Sequence, residues 1–207
     1  MSHLPWTEVL AERTSPINGQ IKVLRSLGLG IYIQVENLTQ SGGVVYGVWK
    51  TSLKKVKRKK KEIKTCLILG LGGGSAAILV RKYWPLARVT GVDIDPIMVS
   101  LGKKYLGLSR VKVEIGDAKE FLKNKKKFDL ILVDTYLGEN FPEKFEKEDF
   151  LLSVKSSLSG EGIAVFNRLY YGEKRPLAIK FGERLDKIFG KVERIFPEAN
   201  VMFMASF

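Results

Sequence analysis

Apolar residues run through this chain in distinct rhythms, and each predicts a different kind of element. Cys66, Leu67, Ile68 and Leu69 form an unbroken apolar run, as expected of a central strand covered on both faces. Related patterns predict strands at 65–70, 87–93, 111–116, 128–134 and 162–168. Between them, apolar residues at helical spacing predict helices at 75–83, 96–105, 117–123, 146–158 and 174–189. Strand–helix alternation with short connections implies a doubly wound α/β sheet with right-handed crossovers. The final segments, KVERIFP and NVMFMASF, flank a turn at 197–200 and read as a closing antiparallel pair. The expected sheet is therefore seven-stranded and mostly parallel.

The N-terminal residues follow other patterns. Residues 6–12 suggest a short helix, ended by the turn-forming SPING. Residues 19–36 alternate like two strands joined at Leu27 and Gly28, a β-hairpin. From Val44 onward, Val45, Val48, Trp49, Ser52, Leu53 and Val56 fall at helical spacing. That helix should run into a lysine-rich tract. The expected organisation is an N-terminal helix, hairpin and basic helix over residues 1–60, then a Rossmann-like domain over 61–207.

Length and hydrophobic content allow one compact fold with a sizeable core. No apolar run approaches a membrane span and no signal pattern opens the sequence, so a soluble cytoplasmic protein is expected. The single cysteine, Cys66, excludes an internal disulfide or a cysteine-rich zinc site. The single histidine, His3, sits near the terminus, which argues against histidine-based catalysis or a histidine-rich metal site; no metal is expected.

The net charge of +13 is unevenly spread. Residues 54–64, from Lys54 to Lys64, carry eight cations and one acid; KNKKK at 123–127 adds four more cations. Such clusters suit weak contact with nucleic acid or an anionic surface, and equally a solvated face. Both lead into the amino ends of predicted strands. Ligands of open α/β sheets bind at the carboxyl ends, so neither cluster is placed to touch a reacting centre.

The carboxyl ends carry the candidate chemistry. Gly70, Gly72, Gly73 and Gly74 let the chain turn through positive φ and bring bare backbone N–H groups against a ligand. Ser75 then opens a helix whose N-terminus favours negative charge. Asp93 ends the next strand, where a carboxylate can accept from ribose hydroxyls; Asp95 is better placed to cap the following helix. Asp117 can accept from an adenine amino group, cap a helix, or do both. Asp134 follows the fourth strand, as a turn residue or a catalytic acid. Together these positions fit an adenosine-containing cofactor. A nicotinamide-binding domain would want a third glycine where Ser75 stands.

The segments LILGLGGGSAAILV, VTGVDIDPIMV, VEIGDAKEFL and FDLILVDTY resemble the successive motifs of class I S-adenosylmethionine-dependent methyltransferases, and more specifically those of the spermidine synthase family. The resemblance implies S-adenosylmethionine, or its decarboxylated form, as cofactor. Gly70, Gly72 and Gly74 would surround its amino-acid moiety, Asp93 would hold the ribose and Asp117 the adenine. Gly73, Ser75, Ile94 and Ala118 complete the implied cofactor set. Homodimers are common in that family.

Two departures bear on the reaction. Aminopropyltransferases of this family carry an aspartate straight after the glycines, where this chain has Ser75. They also carry a second acid after the fourth strand, where this chain has Leu137. Burying a diamine's ammonium groups without carboxylates costs on the order of several kcal/mol each, so methyl transfer to a small-molecule acceptor is the favoured expectation. Asp134 would act as base and Tyr136 would shape the acceptor pocket. Glu139 is a candidate substitute for the missing acid, and Asn167 and Arg168 are candidate substrate contacts. The alternatives are aminopropyl transfer, and a non-catalytic protein that binds nucleosides or nucleic acid.

Overall fold

The computed structural model describes residues 6–124 and 126–207; His3, and Lys125 of the second basic cluster, lie outside them. Among the described residues, β1 (Thr7–Ser15), β2 (Gly19–Ser26), β3 (Gly30–Val35) and β4 (Leu38–Gly42) form an antiparallel meander. The expected hairpin is thus β2 and β3 at its centre. The helix expected at 6–12 is corrected to strand. That segment is largely exposed, so its apolar positions carry no decisive period, and pairing with β2 from Thr7↔Ser26 to Ser15↔Gly19 sets its conformation.

The next helix, α1 (Gly43–Lys59), buries Val48, Trp49, Ser52, Leu53 and Val56, the stripe read from the sequence. Its basic C-terminal turn suits the negative end of the helix dipole. Much of the lysine tract is tied back to the protein. Lys55 and Lys59 pair with Glu193, and Lys60 pairs with Glu161. Lys57 donates to the carbonyls of Lys61 and Tyr83 and lies over the Trp84 ring.

The large sheet contains β5 (Thr65–Leu69), β6 (Arg88–Asp93), β7 (Lys112–Ile115), β8 (Phe128–Val133), β9 (Leu158–Leu169), β10 (Lys191–Ile195) and β11 (Asn200–Ser206). Its order is β10-β11-β9-β8-β5-β6-β7. Strand β11 runs antiparallel to both neighbours, and the β5–β9 pairings are parallel. The connections use α2 (Ser75–Tyr83), α3 (Pro96–Leu101, extended by a π-helical turn at Gly102–Leu106), α4 (Ala118–Leu122), α5 (Glu148–Ser156) and α6 (Lys174–Ile188).

Alternate residues of β5 feed the two faces of the sheet. Cys66 and Ile68 join one cluster with Trp49 and Leu53 of α1 and Leu79 of α2. Leu67 and Leu69 join another with Phe150 of α5 and Phe181 of α6. Burial raises the Cys66 thiol pKa, and the residue serves as a small hydrophobe. The small sheet packs through Ile21, Val23, Ile33 and Val35 on Met98 and Leu101 of α3. Among the described residues, no helix is long and apolar enough to cross a membrane. The strand order reverses direction between β5 and β8, which opens a crevice at their carboxyl ends.

Candidate active site

The glycine loop follows β5 into that crevice. Gly70 has φ 84°, and a Cβ there would sit 2.0 Å from the carbonyl oxygen of Asp134. Gly73 is pressed against the small sheet, where a Cβ would meet Ile33 and Ser41 side-chain atoms at 2.7 and 2.8 Å. The loop N–H groups are already engaged. Gly70 and Leu71 both donate to the Val92 carbonyl at 2.9 and 3.0 Å, and Gly74 donates to that of Leu71 at 3.0 Å. Gly72 donates to Asp93 Oδ2 at 2.6 Å and Gly73 to Ser41 Oγ at 2.8 Å. The expectation of bare donors facing a ligand is therefore corrected: β4 supplies an acceptor from 32 positions away. Ser75 is buried, and its Oγ accepts the Gly42 N–H at 2.7 Å.

Each strand-end acid has a defined local role. Asp93 accepts from Asp95 N–H at 2.8 Å as well as from Gly72, and burial raises its pKa. Asp95 caps α3 and also accepts from Ser15 Oγ and Asn18 Nδ2 at 2.5 and 2.7 Å. Asp117 caps α4 through the N–H groups of Lys119 and Glu120 at 2.8 and 3.2 Å, and pairs with Lys144. Burial pushes its carboxyl up, but the Lys144 and backbone hydrogen bonds outweigh that and hold it below the usual value.

Asp134 accepts from Asn167 Nδ2 at 2.8 Å and from Trp49 Nε1 at 3.0 Å. Asn200 Nδ2 in turn donates to Asn167 Oδ1 at 2.8 Å. Burial pushes the Asp134 carboxyl up to about 6, against the pull of its two donors. Tyr136 Oη accepts the Leu169 N–H at 2.8 Å. Its pKa is pushed up to about 12, chiefly by burial, so the phenol keeps its proton and can donate it in a hydrogen bond.

A cavity of about 550 Å³ unites these groups, within the size range of small-ligand pockets. Gly70, Gly72, Ser75, Asp93, Ile94, Asp117, Ala118, Asp134 and Tyr136 line it; Gly73 and Gly74 do not. Asn167 lines it but Arg168 does not. Arg168 is buried, pairs with Glu146 at 2.7 Å and lies over the rings of Phe141 and Phe181. Leu137 lines the cavity, whereas Glu139 is exposed and lies against Tyr171.

Among the described residues the lining contains Asp93, Asp117, Asp134 and Glu198 against one cation, Lys144. An acidic cavity in so basic a protein favours a cationic ligand. Sequence reasoning missed Trp49, Lys144 and Glu198 as site residues. For Trp49 a signal existed, since a buried indole N–H needs an acceptor; Lys144 sits on a 3-10 turn at Glu143–Phe145 and Glu198 in the β10–β11 turn, connections whose path the sequence pattern does not specify.

The chain matches a family model described as spermine/spermidine synthase domain over residues 51–197. It is 33% identical over 129 residues to a polyamine aminopropyltransferase of Vibrio vulnificus (strain CMCP6), covering 56% of this chain and 43% of that protein. It is 29% identical over 147 residues to the human eEF1A lysine and N-terminal methyltransferase, covering 63% of this chain and 20% of that protein. It thus spans less than half the length of either relative. The spermidine synthase structure from Thermotoga maritima superposes with a TM-score of 0.76 at 16% identity, covering 96% of this chain and 72% of that one. Human methyltransferase-like protein 13 in complex with SAH gives 0.62 at 24% identity, covering 79% and 80%. Both likenesses concern the fold.

Proposed function

The chain belongs to the spermine/spermidine synthase domain family, and from that premise we propose that it transfers a methyl group from S-adenosylmethionine to an amine. The observation that carries this reading is Asp134, a carboxylate held by two donors at the cavity wall with its pKa raised to about 6. The acidic lining and the strand-end positions of Asp93 and Asp117 fit an adenosine-bearing cation, with Asp93 at the ribose and Asp117 at the adenine. When bound, S-adenosylmethionine supplies a methyl group activated by its sulfonium.

The chain's own residues then have limited tasks. Asp134 takes a proton from the acceptor's ammonium and frees its lone pair. The freed nitrogen would then be the nucleophile for the methyl group that bound S-adenosylmethionine would supply, with S-adenosylhomocysteine as the leaving group and a methylated ammonium as product. Tyr136 and Asn167 hold the acceptor in line, which is the main contribution such a displacement requires. Leu137, apolar where aminopropyltransferases of the family place a second acid, suits an acceptor with one ammonium near the reacting centre. The relatives that share this sequence bear the names of a polyamine aminopropyltransferase and a lysine and N-terminal methyltransferase, both amine-directed activities.

A second reading, aminopropyl transfer, is favoured by Glu198. This acid lines the same cavity from the β10–β11 turn and offers a carboxylate for a second ammonium. Calorimetric titration with S-adenosylmethionine and with its decarboxylated form separates the two. Preference for the intact cofactor is the expected result; preference for the decarboxylated form would overturn methyl transfer.

A further inference from the structure

At the opposite edge of the large sheet, the amino ends of β5, β6, β7 and β8 border a second concavity of about 630 Å³. Among the described residues, six cationic side chains line it: Arg81, Arg88, Arg110, Lys112, Lys126 and Lys127. No acid is among the described lining residues. Three of the six have partners in the protein. Arg81 donates to the Ala87 carbonyl at 3.1 Å, Lys127 donates to that of Ser156, and Lys112 pairs with Glu114 at 2.7 Å. Arg88, Arg110 and Lys126 are exposed; among the described residues none of them makes an ion pair, and Lys126 lies near enough to Glu114 to help Lys112 hold its carboxyl below the usual value.

This arrangement differs from the lysine tract on α1, where Lys55, Lys59 and Lys60 are matched by Glu193 and Glu161. Like charges converging on one concavity repel each other until an anion offsets them. Three tract cations are matched by acids packed beside them, whereas the groove gathers six cations on one wall with no acid in its described lining.

We infer that this groove binds a chain of phosphates, such as the backbone of a single-stranded nucleic acid or free polyphosphate. The chemistry of the wall selects phosphate over an acidic peptide. Its side chains present donors almost exclusively, and of its two hydroxyls, Thr65 Oγ1 is already engaged with Asp129. A phosphate run presents acceptors, whereas a peptide brings N–H groups that need acceptors of their own. The guanidinium forks of Arg88 and Arg110 match paired phosphate oxygens. The groove and the acidic cavity occupy opposite ends of the strands, so this inference is independent of the methyl-transfer reading.

The test is a fluorescence-anisotropy titration of the full chain with a short labelled single-stranded oligonucleotide over a series of salt concentrations. Inorganic polyphosphate and polyglutamate serve as competitors. Affinity for the phosphate chain should fall with salt. The triple variant Arg88→Glu, Arg110→Glu, Lys126→Glu should weaken it about tenfold or more and flatten the log–log salt slope by about 2, at about 0.7 for each phosphate no longer neutralised. The neutral triple variant to Gln should move both quantities in the same direction by less. Lys54→Glu with Arg58→Glu on α1 should leave them nearly unchanged. Displacement of the oligonucleotide by polyphosphate supports the shared chemistry; binding of polyphosphate alone supports it with free polyphosphate as the source. Unchanged binding in the groove variants, or equal competition by polyglutamate, would overturn the inference. Thermal unfolding of each variant verifies that it is folded.

Discussion

Trp49 and Asp134 lie 85 positions apart in the chain, yet the indole Nε1 donates to Asp134 Oδ2 at 3.0 Å. Asn167 donates to the other carboxylate oxygen, and Asn200 fixes the Asn167 amide by donating to its carbonyl. The Asn167 amide is thereby committed to face Asp134 with its NH₂ group. Residues from α1, β9 and β11 thus converge on one carboxylate beyond the end of β8, which keeps acceptor capacity for a group in the cavity.

Replacing that carboxylate tests its proposed role. Asp134→Asn should lower turnover by about 10²–10⁴-fold, the usual worth of a positioned base. Cofactor affinity by calorimetry should change little. Wild-type turnover in this variant would remove Asp134 from the chemistry.

The raised pKa sets the pH dependence. The base must be ionised, so kcat/KM should rise with pH through about 6. Stability moves the other way. A carboxyl whose folded pKa lies near 6 rather than 3.8 contributes stability that is complete below 3.8 and lost as pH rises through 6, a change of at most about 3 kcal/mol. Denaturant titrations of wild type and Asp134→Asn across that window should show the difference shifting in the variant's favour.

Trp49→Phe keeps an aromatic ring in the core but removes the donor. The pKa of Asp134 should rise further, because a hydrogen bond to its charged form is lost. The acid limb of the pH–rate profile should therefore move to higher pH. Stability should fall by about 2 kcal/mol. An unshifted limb would show that the indole packs without tuning the carboxylate.

Gly70→Ala asks whether the loop's closeness to β8 is obligatory. The added Cβ would arrive 2.0 Å from the Asp134 carbonyl oxygen, at a φ of 84°. Both the clash and the backbone conformation oppose it. A loss of about 3 kcal/mol or more, read by urea unfolding, is expected. A loss under about 1 kcal/mol would mean that the loop relaxes easily.

The regular part of this fold was legible because its signals are local. The run from Cys66 to Leu69 and the stripe from Val48 to Val56 each specify an element without reference to distant residues. Residues 6–12 carried no such signal, since a mostly exposed strand has no face to encode, and only the β2 pairing decides it. The strand-end acids were legible as positions, but not their partners. Lys144 reaches Asp117 across 27 positions, Trp49 reaches Asp134 across 85, and Glu146 draws Arg168 away from the cavity. Spacing along a chain does not encode contacts of that range. The lysine tract shows the same limit for charge, because a count of cations does not reveal that Glu193 and Glu161 lie beside them.

Ser41 and Ser75 form a crossed clasp: Ser41 takes the N–H of Gly73, and Ser75 takes the N–H of Gly42. Each serine sits beside the amide that its counterpart's segment must satisfy, so neither side of the seam can peel away without stranding a buried donor. The two hydrogen bonds therefore couple the meander to the glycine loop, and loss of either serine should loosen both segments together. A lesion in β4 should on this reading be felt as looseness in the glycine loop, although the bonded residues lie 33 and 32 positions apart in the chain.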